Sequence, residues 1–108
     1  MPKDIITVDC VSLSSFINDK KFQHIDFIKM DIEGSERVVI QDLNANNQLI
    51  KVNKCAIEYH HKISGHRSSL SEFLHIFEKN GFEYQIDTSS IPITAENTFQ
   101  DILLYFYK

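Results

Sequence analysis

The apolar residues of this chain fall into short runs whose spacing switches between the two-residue period of a strand and the 3.6-residue period of a helix. Ile5-Ile6-Thr7-Val8 is rich in β-branched residues and predicts a short strand. In Ser12-Leu13-Ser14-Ser15-Phe16-Ile17, hydroxyl side chains suited to capping a helix start precede a single polar and apolar turn. Ile25 to Met30 is almost continuously apolar, which predicts a strand covered on both faces, as in a parallel sheet with helices on either side.

From Ser35 onward, Val38, Val39 and Leu43 mark one helical face, and Asn44-Ala45-Asn46-Asn47 then loses the period in residues that favour turns. The predicted helix runs from about Gly34 to Leu43, with a looser continuation towards Ile50. Lys54-Cys55-Ala56-Ile57-Glu58-Tyr59-His60 predicts another buried strand that ends in polar groups. The strongest helix signal starts where Ser69 and Glu72 stand at capping-box spacing, carries Leu70, Phe73, Leu74 and Phe77 on one face, and stops at Asn80-Gly81. Phe82, Tyr84 and Ile86 alternate with Glu83, Gln85 and Asp87 as a strand with one wetter face. A loop containing Pro92 then leads to a last apolar strand over Ile102 to Tyr107. This order of elements predicts an α/β fold of mostly parallel strands that ends in an antiparallel pair.

A chain of 108 residues has room for one domain, spanning 1–108, around a single core. Its formal charge of −4, from 15 acidic and 11 scattered basic residues, gives no footprint for a nucleic acid. No run of about eighteen apolar residues suggests a membrane span, and Met1-Pro2-Lys3-Asp4 does not lead into a signal-peptide core. Cys10 and Cys55 have neither the density of a disulfide scaffold nor a Cys-x-x-Cys spacing, so free buried thiols in the cytoplasm are expected.

The chemistry concentrates where the strands are expected to stop. The Ile25 to Met30 run is followed at once by Asp31, Glu33, Gly34 and Glu36, and ligands of open α/β sheets bind just beyond the carboxyl ends of such strands. Glu58 and His60 close the next strand two residues apart, so both side chains fall on one side, near the first cluster if the strands are neighbours.

Lys29-x-Asp31-x-Glu33-Gly34-x-Glu36 after an apolar strand, the helix that follows, a strand ending in Glu58, another helix and a Gly81-Phe82 step into a terminal strand pair together resemble the FkbM family of S-adenosylmethionine-dependent methyltransferases. Thr7-Val8-Asp9 is similar to the family's segment upstream of that motif. The likeness covers most of this chain but only the second half of the family's domain. It implies a partial Rossmann-like methyltransferase sheet in which Ile25 to Met30 is the fourth of seven strands and Cys55 to Tyr59 the fifth, with a closing antiparallel hairpin. It also implies transfer of a methyl group from S-adenosylmethionine to an oxygen of a small-molecule or sugar acceptor. By the same resemblance, Asp31, Glu33, Glu58 and His60 belong to the catalytic cleft, and Asp31 and Gly34 to its cofactor side. The family holds its cofactor with a glycine-rich turn after the first strand and an acid after the second. Here Gly34, Gly65 and Gly81 stand isolated, so the expectation is a fragment that forms one wall of the cleft and binds the cofactor poorly by itself.

Methyl transfer to a hydroxyl is an in-line displacement that needs alignment of donor and acceptor and removal of the acceptor proton, for which Asp31 or Glu33 is suited. Glu33 and Glu36 also fall in a first helical turn, where amide dipoles stabilise an acid by about 0.3 to 1 kcal/mol. For Glu36 that structural role weighs at least as much. Gly34 fits a close backbone approach, an unusual turn or a simple capping glycine. Lys29, inside an apolar strand, is expected to pair with an acid such as Asp31 or Glu58. His61 and His66 invite a metal reading, but no fixed histidine spacing supports it, and no metal is expected. His24 and His75 read as structural or exposed.

Two rivals come from other classes. One is a non-catalytic interaction module that pairs with a second copy or a complementing chain through the unpaired edge of the Ile25 to Met30 strand. The other is a metal-dependent hydrolase built on Asp31, Glu33 and His60.

Overall fold

A computed structural model describes residues 5–32, 34–61, 69–88 and 100–108. The elements, in chain order, are α1 (Leu13–Asp19), β1 (Ile25–Met30), α2 (Glu36–Ala45), a 3-10 turn (Leu49–Lys51), β2 (Val52–His61), α3 (Leu70–Lys79), β3 (Glu83–Thr88) and β4 (Gln100–Tyr107). The four strands form one mixed sheet in the order β1-β2-β4-β3. β1 and β2 run parallel, joined by the crossover through α2, whereas β4 is antiparallel to both β2 and β3.

The expected terminal antiparallel pair is therefore present, but the expectation of mostly parallel strands is corrected. Among the described residues only the β1 and β2 pairing is parallel. The reason lies in Ile5-Ile6-Thr7-Val8, which forms no strand and leaves Ile5, Ile6 and Val8 exposed. A β-branched run becomes a strand only where a neighbour offers a ladder of backbone groups, and among the described residues nothing pairs with the outer edge of β1.

One face of the sheet carries the core. Cys55, Ile57 and Tyr59 of β2 and Ile102, Leu104 and Phe106 of β4 are buried with Ile17 of α1, Ile40 and Leu43 of α2, and Phe73 and Phe77 of α3. Phe77 stacks on Phe106 with ring centroids 3.6 Å apart and planes 9° from parallel. On the other face, Phe27 is 55% and Tyr105 41% exposed. The strands are thus covered on one face rather than two, because the sequence supplies apolar helices for only one layer.

Two helices differ from their sequence patterns in ways that bear on the site. The buried stripe of α2 is Glu36, Ile40 and Leu43, at i, i+4 and i+7, while Val38 faces solvent. An acid thus occupies an apolar position, which is why Val38 misled the pattern. At α3, Ser69 is the N-cap residue but its side chain bonds no helix amide. Its hydroxyl instead meets the Tyr59 hydroxyl at 2.7 Å, joining the end of β2 to the start of α3.

Candidate functional site

Because β1 and β2 are parallel and paired through Met30 and Ile57, both release their last side chains at the same edge of the sheet. Asp31 follows Met30 directly. β4 enters that edge from the opposite direction, in a register that sets Asp101 across from His60 and Leu103 across from Glu58. Topology alone thus gathers Asp31, Glu58, His60 and Asp101 from three strands.

Glu36 organises the interior of this cluster. Its side chain is 1% exposed. One carboxylate oxygen, Oε2, accepts the Gly34 N–H at 2.9 Å and the Ile32 N–H at 3.3 Å. The other, Oε1, accepts the His60 N–H at 3.3 Å and lies 2.8 Å from His60 Nδ1. A charge taken out of water is tolerable when its lone pairs are filled in this way. One residue at the start of α2 therefore ties the β1–α2 loop to the end of β2. Gly34 has φ +97°, in the left-handed region that favours glycine, so the tight turn explains its identity.

On its far side the His60 ring faces two further acids, with Nε2 3.6 Å from Asp101 Oδ1 and 3.8 Å from Asp31 Oδ1. Asp31 and Asp101 are each about half exposed, and the imidazole is largely covered. Glu58 hydrogen-bonds to the Asp31 carboxyl, and this bond is the main reason its pKa is raised above the ordinary value of 4.5. The charge of Asp31, burial and the charge of Asp101 act in the same direction, and the imidazole of His60 opposes them. A neighbouring carboxylate disfavours the ionised form of Glu58, which is the direction of its shift.

The open face of the sheet carries this chemistry into grooves. One of about 310 Å³ is lined by Lys29, Asp31, Ala56, Glu58 and Tyr105, and one of about 480 Å³ by Glu58, Asp87, Thr88, Asp101 and Leu103. Asp31 also borders a third, of about 590 Å³, along the outer edge of β1, where Val11, Leu13, Phe16, Ile28 and Val39 form apolar walls. Asp31 is the acid common to the sheet face and this apolar edge.

Of the residues singled out from sequence, Asp31, Glu58 and His60 come together, and Gly34 lies in the adjoining turn. Glu33 and His66 lie outside the described residues, as does the side chain of His61. Lys29 is exposed and, among the described residues, forms no ion pair, so its expected pairing with Asp31 or Glu58 is corrected; its stem simply carries the amine off the open sheet face. Asp101 escaped the sequence pattern, since only the antiparallel register of β4 brings it to His60. Among the described residues, no group of three or more histidine, cysteine, aspartate or glutamate side chains is arranged to hold a metal ion. Cys55 is buried as expected, whereas Cys10 is exposed, on a segment that no helix or strand covers.

The fit to S-adenosylmethionine is one-sided. The amides at the end of β1 and β2 that could cradle a ligand, those of Ile32, Gly34 and His60, are engaged by Glu36. The other described glycine, Gly81, lies just past the end of α3, away from this edge. The described residues thus offer proton-transfer groups and apolar wall, but not the donor set that a methionine or ribose moiety needs.

No curated protein and no solved structure gives a significant match to this chain. No described helix is long and apolar enough to cross a membrane. The family model for the methyltransferase FkbM domain matches residues 1–84, which include the end of β1, the Glu36 helix and β2 but stop before Asp101. With most of its length matched, the chain belongs to the FkbM methyltransferase domain family.

Proposed function

We propose that this chain forms the acceptor-side wall of an S-adenosylmethionine-dependent O-methyltransferase site, acting on a hydroxyl of a small molecule or sugar. The observation that carries this is the convergence of Asp31, Glu58 and His60 at the shared carboxyl end of the parallel β1 and β2 strands. Asp31 borders grooves on both the sheet face and the outer edge of β1, so it is the group best placed to meet an acceptor hydroxyl. Glu58 adjoins it, with a pKa raised chiefly by Asp31, and His60 stands behind Asp31 with Asp101 beside it. These 108 residues contain no glycine-rich turn, so the reading gives this chain the acceptor side and assigns it no cofactor loop. A cytoplasmic setting accords with two unlinked cysteines.

Two measurements test the proposal. Calorimetric titration of the 108-residue chain with S-adenosylmethionine is expected to show no micromolar binding, and such binding would overturn the division of labour between the two walls. In the protein that contains both walls, Asp31→Asn is expected to lower kcat for methyl transfer by on the order of 10²-fold while the cofactor Kd stays within about twofold. Unchanged kcat in that variant removes Asp31 from the chemistry.

A second reading is supported by the outer edge of β1. Among the described residues β1 pairs only with β2, and Phe27, Phe16 and Val11 lie exposed around that edge. A strand edge with apolar flanks favours pairing with another strand, from a second copy or a complementing chain. Sedimentation that stays monomeric from micromolar to millimolar concentration would remove self-pairing.

A further inference from the structure

We infer that the acceptor of this site carries an anionic group, a carboxylate or a phosphate on a sugar-sized ring, and that Lys29 and Lys54 hold that group while a hydroxyl of the ring meets Asp31. The inference names the substrate class of the acceptor side and rests on that reading for its functional meaning.

The strand registers lay out the open face of the sheet. Lys29 of β1 lies across from Ala56 of β2, and Ala56 across from Tyr105 of β4. One step towards the carboxyl ends of β1 and β2 stands Glu58, across from Leu103 and beside Asp31; one step back stands Lys54, between Phe27 and Tyr107. Cys55 and Ile57 are buried in the core, so the alternate residues Lys54, Ala56 and Glu58 face the open side. Ala56 is thus the centre of a cross, with Lys29 and Tyr105 on its flanks, Glu58 ahead of it and Lys54 behind.

The charges of this cross are divided. The acids lie ahead, whereas Lys29 and Lys54 are diagonal neighbours on adjacent strands. Both lysines are exposed, and among the described residues neither forms an ion pair. Asp31 lies one step along the same face from Lys29, yet the two side chains do not pair. Glu83, the acid in the row of Lys54, stands beyond β4, two strand spacings or about 10 Å away. Asp87 and Asp101 line the separate groove on the β3 side. An anion seated between the two lysines therefore meets two free amines, with Lys29 between it and Asp31.

Between the amines and the acids the sheet is hollow. Ala56 projects only a methyl group, and the groove of about 310 Å³ over it is bordered by Lys29, Asp31, Glu58 and Tyr105. The exposed Tyr105 adds a ring face and a hydroxyl, which suit the apolar and polar sides of a sugar. From the row of Lys29 to that of Asp31 is two residues of strand, about 7 Å, a span that one sugar ring with its substituents covers. A neutral sugar leaves both amines unused, and a ligand charge opposite to theirs is the complementary one.

Titration of the 108-residue chain, followed by ¹H–¹⁵N spectra at millimolar ligand, reads the site directly. The probes are glucuronate, glucose carrying phosphate on its primary hydroxyl, methyl glucoside, glucosamine and inorganic phosphate. Glucuronate or the phosphorylated glucose is expected to shift the amide signals of Lys29, Lys54, Ala56 and Tyr105, and the tighter of the two tells carboxylate from phosphate. Methyl glucoside is expected to bind about tenfold more weakly, and a Lys29→Gln, Lys54→Gln double variant to weaken the anionic sugars by about the same factor. Both lysines are exposed, so this variant keeps the fold. Glucosamine that binds more tightly than either anionic sugar overturns the inference, because the acids then govern the site. Inorganic phosphate that shifts the same signals as strongly as the phosphorylated glucose also overturns it, because the ring then adds nothing. So does unchanged binding in the double variant, or no shift with either anionic sugar. The readout is binding, so an anionic sugar held at these lysines by a protein without methyl transfer counts against the transferase reading only. A methyltransferase that holds no anionic sugar there counts against the lysines only.

Discussion

Replacing Glu36 by methionine keeps the length of the side chain and removes the carboxylate that holds the site together. Three backbone N–H groups lose their acceptor, those of Ile32, Gly34 and His60. A donor orphaned in a dry interior costs about 1 to 3 kcal/mol. Ile32 and Gly34 lie at the exposed rim of the loop, where water can take over, so the low end applies and the three together cost about 3 kcal/mol. His60 also loses the partner of Nδ1, at about 1 kcal/mol. Against this, the desolvation of a buried charge is relieved, and a methionine joins Ile40 and Leu43 on the buried stripe of α2, which returns about 1 to 2 kcal/mol. The net expectation is a loss of about 2 to 3 kcal/mol, within the 5 to 15 kcal/mol that typical domains hold, so the variant should still fold.

Urea unfolding followed by far-ultraviolet circular dichroism measures this. With a slope of about 2 kcal/mol per molar urea, the midpoint should fall by roughly 1 to 1.5 M with the slope unchanged. A midpoint that stays put or rises would refute the reasoning. It would mean that the burial of the charge costs as much as its hydrogen bonds return, as happens when some buried ion pairs are replaced by apolar groups.

Glu58 gives a test of sign. Its pKa is raised chiefly by the hydrogen bond to Asp31, so the folded state holds this proton more tightly than the unfolded one. The group therefore weakens the fold at neutral pH, and the fold gains stability as pH falls through its raised pKa towards 4.5. Carboxyl ¹³C titration should place Glu58 above 4.5, and Asp31→Asn should bring it back down; a native Glu58 that titrates at or below 4.5 contradicts the pairing. The cysteines give a second contrast: burial pushes the Cys55 thiol up to about 12, while Cys10 is exposed. A disulfide reagent at neutral pH should label Cys10 promptly and Cys55 only in denaturant, and equal labelling of both in the folded chain would show that the core around β2 opens readily.

The parts legible in the sequence are those where local pattern and tertiary role agree. The helix carrying Phe73 and Phe77 and the last strand, with Ile102, Leu104 and Phe106, bury the residues their periods indicate, so periodicity suffices there, whereas Ile25 to Met30 forms the expected strand but is covered on one face only. The failures share a cause. Ile5 to Val8 has the composition of a strand but, among the described residues, no partner to pair with, and strand formation depends on the partner. Val38 and Glu36 exchanged their expected places because hydrophobic patterning reads an acid as an outward residue, while three backbone N–H donors and the contact with the His60 ring offset the burial of this acid. Asp101 lies far from Asp31 in the chain, and no short-range pattern carries the register that joins them.

That Glu36 lies on the buried stripe also bears on how such a site is built. A base at a sheet edge needs orientation as well as charge, and orientation by another loop residue would move with the loop. Here the orienting carboxylate belongs to the first turn of a helix whose next two inward positions, Ile40 and Leu43, are anchored in the core. Packing of α2 against β2, α1 and α3 thus sets where Glu36 lies, Glu36 sets the ring of His60 and the loop after Asp31, and the two strands set the distance between them. A substitution deep in the core, such as Leu43→Ala, should then disturb the site at a distance. It should broaden the His60 ring resonances by letting α2 shift, in proportion to the stability it removes, which is about 2 to 5 kcal/mol for a fully buried leucine. Sharp, unshifted His60 signals in a folded but clearly destabilised Leu43→Ala chain would show that the site's geometry is held locally and that the helix is only its support.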